Sequence, residues 1–239
     1  MDFQELNYQT ATETREAQVA MAFPALMRKV YLWMTLALVI TGFTAYYVAN
    51  NVQLLTLIYT NQAVMWILIG VELAIVIGVS AAINKLSLLT ATLLFVLYSV
   101  INGALLSSIF LIYTESSIAT VFFITAGTFA AMSFFGYTTK TDLTSWGKLL
   151  MMALIGLIIA TVVNLFMKSS GLEMVISYAG VLIFVGLTAY DTQKIKEMCL
   201  QAPDAGETMQ KYALLGALSL YLDFINLFIY LLRIFGRRE

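Results

Sequence analysis

Seven apolar runs, each about as long as a bilayer core is thick, constrain this chain more than any other feature. They cover about Leu26–Ala49, Gln62–Ile83, Leu86–Tyr113, Ser117–Tyr137, Leu149–Met167, Leu172–Asp191 and beyond, and Lys211–Phe235. A helix needs about 20 apolar residues to cross the hydrocarbon core. Within that core every backbone N–H and C=O must be satisfied by the protein itself, so such runs fold as helices. Hydrophobic residues make up 61% of the 239 and charged residues 11%, against about 25% charged in soluble domains. The fold class is therefore an all-α integral membrane protein, a bundle of seven transmembrane helices in contact with the lipid bilayer. Residues 1–25 are polar, without the apolar region of a signal peptide. They are expected to form an N-terminal arm ahead of a transmembrane domain over residues 26–239, with Pro24 placed to start the first span.

The connections are short, so the spans are expected to form one compact bundle, and Asn84–Lys85 alone turn the second run into the third. With a cytoplasmic N-terminus and seven crossings, nine Lys and Arg residues fall inside. Four fall outside, namely Lys168, Arg233, Arg237 and Arg238. That bias favours N-inside. The basic C-terminus is discordant. Either it lies outside with Arg233 snorkelling, or the last run does not fully cross.

Composition removes several functions. A net charge of -1 gives no electrostatic footprint for nucleic acid. The chain has no histidine, so His-based zinc sites and His-based acid–base chemistry are excluded. The lone Cys199 makes no internal disulfide and reads as a small buried or interfacial residue. There is no GxSxG, HExxH, CxxC or P-loop, and no protease motif surrounds the intramembrane acids. The chain is not expected to be an enzyme or to hold a tightly bound cofactor.

Three acids lie inside the apolar runs: Glu72, Asp191 and Asp223. An acid at the centre of a transmembrane helix costs roughly 2.5–3.5 kcal/mol on insertion scales and marks a functional site by default. At helical spacing from Asp223 stand Gly216, Ser219, Leu220, Asn226, Leu227 and Tyr230. That stripe suits a helix inside a bundle, turned to a partner or a water-filled cavity. If the sixth helix ends near Cys199, Asp191 lies about 12 Å from its end, and Asp223 lies about 18 Å into a seventh helix starting at Lys211. The segment between, LQAPDAGETMQ, carries Pro and Gly and reads as a turn. On two antiparallel neighbours the carboxylates then differ in depth by about 6 Å, and they share a site if their stripes face.

Two carboxylates in such a site cannot both ionise cheaply, so they are expected to titrate as a unit. Once ionised they form a hard oxygen site suited to Ca²⁺, which takes roughly 6–8 oxygens, of which two carboxylates supply at most four. Protons and Ca²⁺ would compete there. The bland alternative is that each Asp bonds a neighbouring hydroxyl or backbone group and holds the bundle together. Glu72 either lines the same cavity or bonds a Ser or Thr nearby. Ser99, Asn102 and Gly103, and likewise Thr161 and Asn164, read as small-polar patches for interhelical hydrogen bonds. The glycines of all spans read first as packing positions.

The stretches GLTAYDTQKIKEM (186–198), ALSLYLDFINLFIYLLRIFG (217–236) and FGYTTKTDLTSWGKLL (135–150) resemble the Bax inhibitor-1, or transmembrane Bax inhibitor motif, family, in its bacterial branch. The resemblance covers nearly the whole chain from about residue 20. It implies a seven-helix bundle with the last helix surrounded by the other six, and a pH-sensitive calcium leak or channel. The family's paired aspartates, the pH sensor and gate, match Asp191 in AYDTQ and Asp223 in LYLDFIN. Transient calcium is expected on that pair, with Glu72, Ser219, Asn226 and Tyr230 lining the pore. Some members pair these acids with an arginine on the second helix, and here that helix has no Arg or Lys within it. The alternative is a non-conducting regulator of a membrane-bound protease or another membrane partner, with residues 1–25 as the contact. A proton-coupled transporter is a third reading. The expected location is a bacterial plasma (inner) membrane.

Overall fold

A computed structural model describes the backbone of residues 3–201 and 206–238, and the side chains of residues 24–198 and 206–238. Cys199 and most of the turn before the last helix thus lie outside the described side chains. Nine helices are present among the described residues. They are α1 (Phe3–Ala49), α2 (Val52–Thr60), α3 (Gln62–Ala82), α4 (Leu88–Leu106), α5 (Ile109–Ile112), α6 (Glu115–Thr138), α7 (Thr144–Met167), α8 (Ser170–Gln201) and α9 (Glu207–Phe235). Seven spans are long and apolar enough to cross a membrane, with Leu88–Ile112 counted as one.

Side-chain caps set several starts. Asn51 accepts from the Gln53 and Leu54 amides at 3.1 Å to open α2. Asn61 does the same for α3, and the Ser87 hydroxyl accepts from the Thr90 amide to open α4. Pro24 does not start a helix as the sequence suggested. It lies inside α1, whose backbone continues from the arm into the first span. A proline inside a helix lacks the N–H for one intrahelical hydrogen bond, and its ring crowds the carbonyl four residues earlier.

The third run is broken where a single helix was expected. At Ser107 and Ser108 the chain turns between α4 and α5. The break frees backbone groups, which α2 satisfies. Tyr59 donates to the Leu105 carbonyl at 2.8 Å and accepts from the Ser108 amide at 3.1 Å. Irregular backbone at a span's end is tolerated when protein groups take up its hydrogen bonds in this way.

The last helix is the axis of the bundle. Its Ala217, Leu220, Tyr221 and Leu227 are fully buried, while the other spans turn large apolar side chains outward, such as Phe43, Phe123 and Phe166. Against α9 pack α1, α4, α6 and α8, with α3 and α7 set outside α4 and α8. Aromatic edges lock it, with Phe95 and Tyr98 against Tyr221 and Phe129 against Phe224. The end of α9 lies beside the end of the third span, as a helix running the full length of the bundle requires. Tyr113, at the end of the third span, bridges Arg238, and the Thr114 amide donates to the Arg237 carbonyl at 3.2 Å. The end of α9 therefore sits at the face of the bundle opposite Pro24 and Lys85.

Candidate functional site

The run from Tyr190 to Lys194 gives nearly every residue its own neighbour. Tyr190 lies against Gly147 of α7, which has no room for a Cβ beneath the ring. Thr192 is buried and meets the Ser133 hydroxyl of α6 at 2.9 Å. Gln193 clamps the loop before α7, accepting from the Leu143 amide at 2.8 Å and donating to the Thr141 carbonyl at 2.9 Å. With α8 held in rotation by these contacts, Asp191 turns to a cavity shared with α9.

That cavity has a volume of about 410 Å³ and is walled by α3, α4, α7, α8 and α9. Glu72, Asp191, Ser219, Asp223, Asn226 and Tyr230 all line it. The carboxylates and the polar stripe of α9 thus come together in one place. The stripe itself divides. Ser219, Asp223, Asn226 and Tyr230 face the cavity, while Gly216 packs under Ile195. Leu220 and Leu227 are fully buried on another side.

Asp223 is only 4% exposed. Its Oδ2 and the Oε1 of Glu72 are buried with no hydrogen-bond partner among the described residues. Such atoms are costly and rare in a folded core, and here both belong to acids on one cavity wall. For Asp223 Oδ2, no hydroxyl or backbone group among the described residues supplies the bond that the bland reading gives each Asp. Asp191 and Asp223 act electrostatically on each other, and Lys194, one turn along α8 from Asp191, acts on both. No carboxylate lies within ion-pair distance of Lys194 among the described residues; its ammonium rests over the Tyr190 ring at 5.9 Å. Lys194 is not among the site residues expected from the sequence. Its spacing of three from Asp191 was the available signal.

No cluster of three or more acids among the described residues is tight enough to chelate a metal ion. Glu72 shares the cavity without joining the Asp191–Asp223 pair. Behind it runs a polar chain into the core. The Asn102 side chain lies beside Glu72. Tyr221 donates to Asn102 Oδ1 at 3.1 Å and meets the Thr41 hydroxyl at 2.6 Å, and Thr41 reaches the Ser99 carbonyl at 3.0 Å. The patch at Ser99, Asn102 and Gly103 is therefore interhelical, as its composition suggested. Asn164 is not; it accepts from the Ser169 amide at 3.1 Å and ties the end of its own helix.

A larger cavity of about 680 Å³ opens between α1 and α6, with Met34, Leu38, Phe122 and Phe129 among its lining. It contains no carboxylate and offers little to an ion.

The family model described as "Inhibitor of apoptosis-promoting Bax1" matches residues 24–239. The chain is 53% identical over 215 residues to the inner membrane protein YbhL of Escherichia coli (strain K12), covering 89% of this chain and 92% of that protein. It is 47% identical over 226 residues to an uncharacterized protein of Borreliella burgdorferi, covering 95% and 97% of the two chains. A third relative, uncharacterized protein RP147 of Rickettsia prowazekii, is 44% identical over 216 residues, 89% of each chain.

Proposed function

The chain is a multi-pass membrane protein of the Bax inhibitor-1 family, and from that premise we propose that it is a pH-sensitive calcium leak pathway gated by Asp191 and Asp223. The observation that carries this reading is that two carboxylates on adjoining helices face one cavity in the middle of the bundle, one of them with an unpartnered oxygen. Bringing negative charge into such a site is expensive unless a proton or a cation accompanies it. Ca²⁺ is the cargo whose hard-oxygen preference suits carboxylates. Two carboxylates cannot fill its shell, so water from the cavity completes it and the ion passes on rather than staying.

Protonation and cation entry then draw on the same oxygens. A proton-occupied pair has no charge to hold the ion. An ionised pair repels itself, and that repulsion favours a different packing of α8 against α9. Ser219 and Asn226, one turn to either side of Asp223, give the ion further oxygens along the helix. Lys194 is the positive group that moderates the ionised pair. It comes from the sixth span; some family members place an arginine on the second helix, where this chain has neither Arg nor Lys.

The test is Ca²⁺ flux into dye-loaded proteoliposomes across about pH 5–8. Wild type is expected to conduct with a clear pH midpoint. Asp191→Asn and Asp223→Asn should each remove the pH response. Lys194→Gln should displace the midpoint while keeping a response. Flux no greater than that of empty liposomes at every pH would overturn the proposal in favour of a non-conducting partner of another membrane protein. An unaltered pH response in both Asn variants would remove the aspartates from the gate.

A further inference from the structure

The face of the bundle where α7 and α9 end carries a second polar cavity, of about 410 Å³, that the acid site does not use. Its polar lining is Thr161, Asn164, Lys168, Glu173 and Arg233. Lys168 caps α7 in the left-handed conformation, with φ of 49°. Few residues other than glycine adopt that geometry. The turn is held on both sides. The Lys168 amide donates to the Asn164 carbonyl at 2.7 Å, and the Ser169 amide donates to Asn164 Oδ1 at 3.1 Å. The Asn164 side chain itself lines the cavity.

The cations here are not committed to carboxylates. Among the described residues neither Lys168 nor Arg233 has an acid within ion-pair distance. Glu173 lies 3.8 Å from Arg238 instead. Arg233 is half-buried and its guanidinium lies over the Tyr230 ring at 5.6 Å. The ring holds the guanidinium by cation–π attraction. A half-buried guanidinium with no acid within ion-pair distance among the described residues, beside an ammonium and an amide, is an arrangement for an oxyanion, with the Glu173 carboxylate, which lines the same cavity, turned to Arg238. Both cations sit in the last turn of their spans or just beyond, at the depth where the hydrocarbon core gives way to headgroups. Basic pockets between transmembrane helices at that depth suit lipid phosphates.

We propose that this pocket binds a phosphate group between Lys168, Arg233 and Asn164, and that its location favours a phospholipid headgroup as the source. Arg233 would hold two phosphate oxygens with its fork, Lys168 would supply the second charge, and the Asn164 amide would orient the group. The site is independent of whether the chain conducts ions.

Native mass spectrometry on the full chain in detergent, titrated with dioleoylphosphatidylglycerol, tests it. A Lys168→Asn, Arg233→Gln double variant removes both charges, and Asn tolerates the left-handed turn. A Lys85→Gln, Lys148→Gln control removes two cations at the other face. The expected result is an apparent affinity at least tenfold weaker in the first pair and unchanged in the second. Equal loss in both pairs, or no loss in either, would overturn the site. Should the double variant not elute as a single folded species, Lys168→Asn alone, at an exposed position, carries the same comparison. A competition arm with sn-glycerol 3-phosphate separates the sources. Displacement of the lipid supports phosphate as the recognised group, whereas tight binding of the soluble ester by a chain that ignores the lipid would overturn the lipid source.

Discussion

Asp142 shows how much one exposed side chain can decide. Its Oδ1 accepts from the Thr144 amide at 2.8 Å, where α7 begins. The hydrogen bonds from the Thr144 side chain and backbone hold its carboxyl below the usual carboxylate range. A group whose folded value is lowered contributes stability above its unfolded value and loses it as pH falls through the folded one. An Asp142→Ala variant should therefore melt below wild type at pH 7, and the gap should close at a pH below the ordinary carboxylate range. Differential scanning fluorimetry in detergent at the two pH values reads this directly. At the same scale, Asp191 and Asp223 were legible because an acid in an apolar run stands out. Ser219, Asn226 and Tyr230 followed from the period of one helix. Lys194 did not, because its influence depends on the rotation of α8, which Thr192 and Gln193 fix through contacts far away in sequence.

At the scale of elements, the glycines separate into two kinds that look alike in the sequence. A Cβ on Gly136 would run into the Ala189 backbone, so α6 and α8 touch main chain to main chain there. Gly156, on α7, has nothing within 4 Å of a built Cβ, and the same holds for Gly42, Gly70, Gly78 and Gly127. The expectation that glycines in all spans serve packing is thus corrected for these five. Small residues let transmembrane backbones approach, but only where a neighbour takes the space. Gly136→Ala should destabilise the protein by about 1–3 kcal/mol through overpacking, while Gly156→Ala should leave it unchanged or slightly more stable. Thermal unfolding of the two variants in one detergent compares them. The same dependence on neighbours hid α2 and the break after Leu106. Asn51 and Asn61 were visible as residues, but their capping role requires knowing where a helix starts, and the break requires knowing that Tyr59 reaches it.

For the whole molecule, one helix carries most of the specification. Tyr221 sits at the crossing of α1, α4 and α9, and its hydroxyl meets both Thr41 and Asn102. Tyr221→Phe keeps the aromatic edges and removes only the polar tie. Interhelical hydrogen bonds in membranes are worth about 0.6 kcal/mol and at most about 1.7, so unfolding in detergent should shift by an amount in that range. A larger loss would show that the chain from Thr41 to Glu72 behaves as one cooperative unit. The number of spans and the class of fold were legible because each span's length is dictated by the bilayer. The central place of α9 was legible in its polar stripe and in the family resemblance, and its burial bears that out; which spans pack directly against it was not, since apolar residues facing lipid and apolar residues facing a neighbour have the same composition.

The position of α9 also bears on how the protein is assembled. Among the described helices α9 is the most enclosed, follows the other spans in the chain and carries an acid near its centre. The six earlier spans must therefore reach the bilayer while the slot between α1, α4, α6 and α8 is still vacant, with Thr41 and Asn102, the partners of Tyr221, uncovered. Entry of α9 from the ribosome covers those groups and places Asp223 among protein rather than lipid. A ribosome stalled before residue 207 would hold those flanking spans without their central helix.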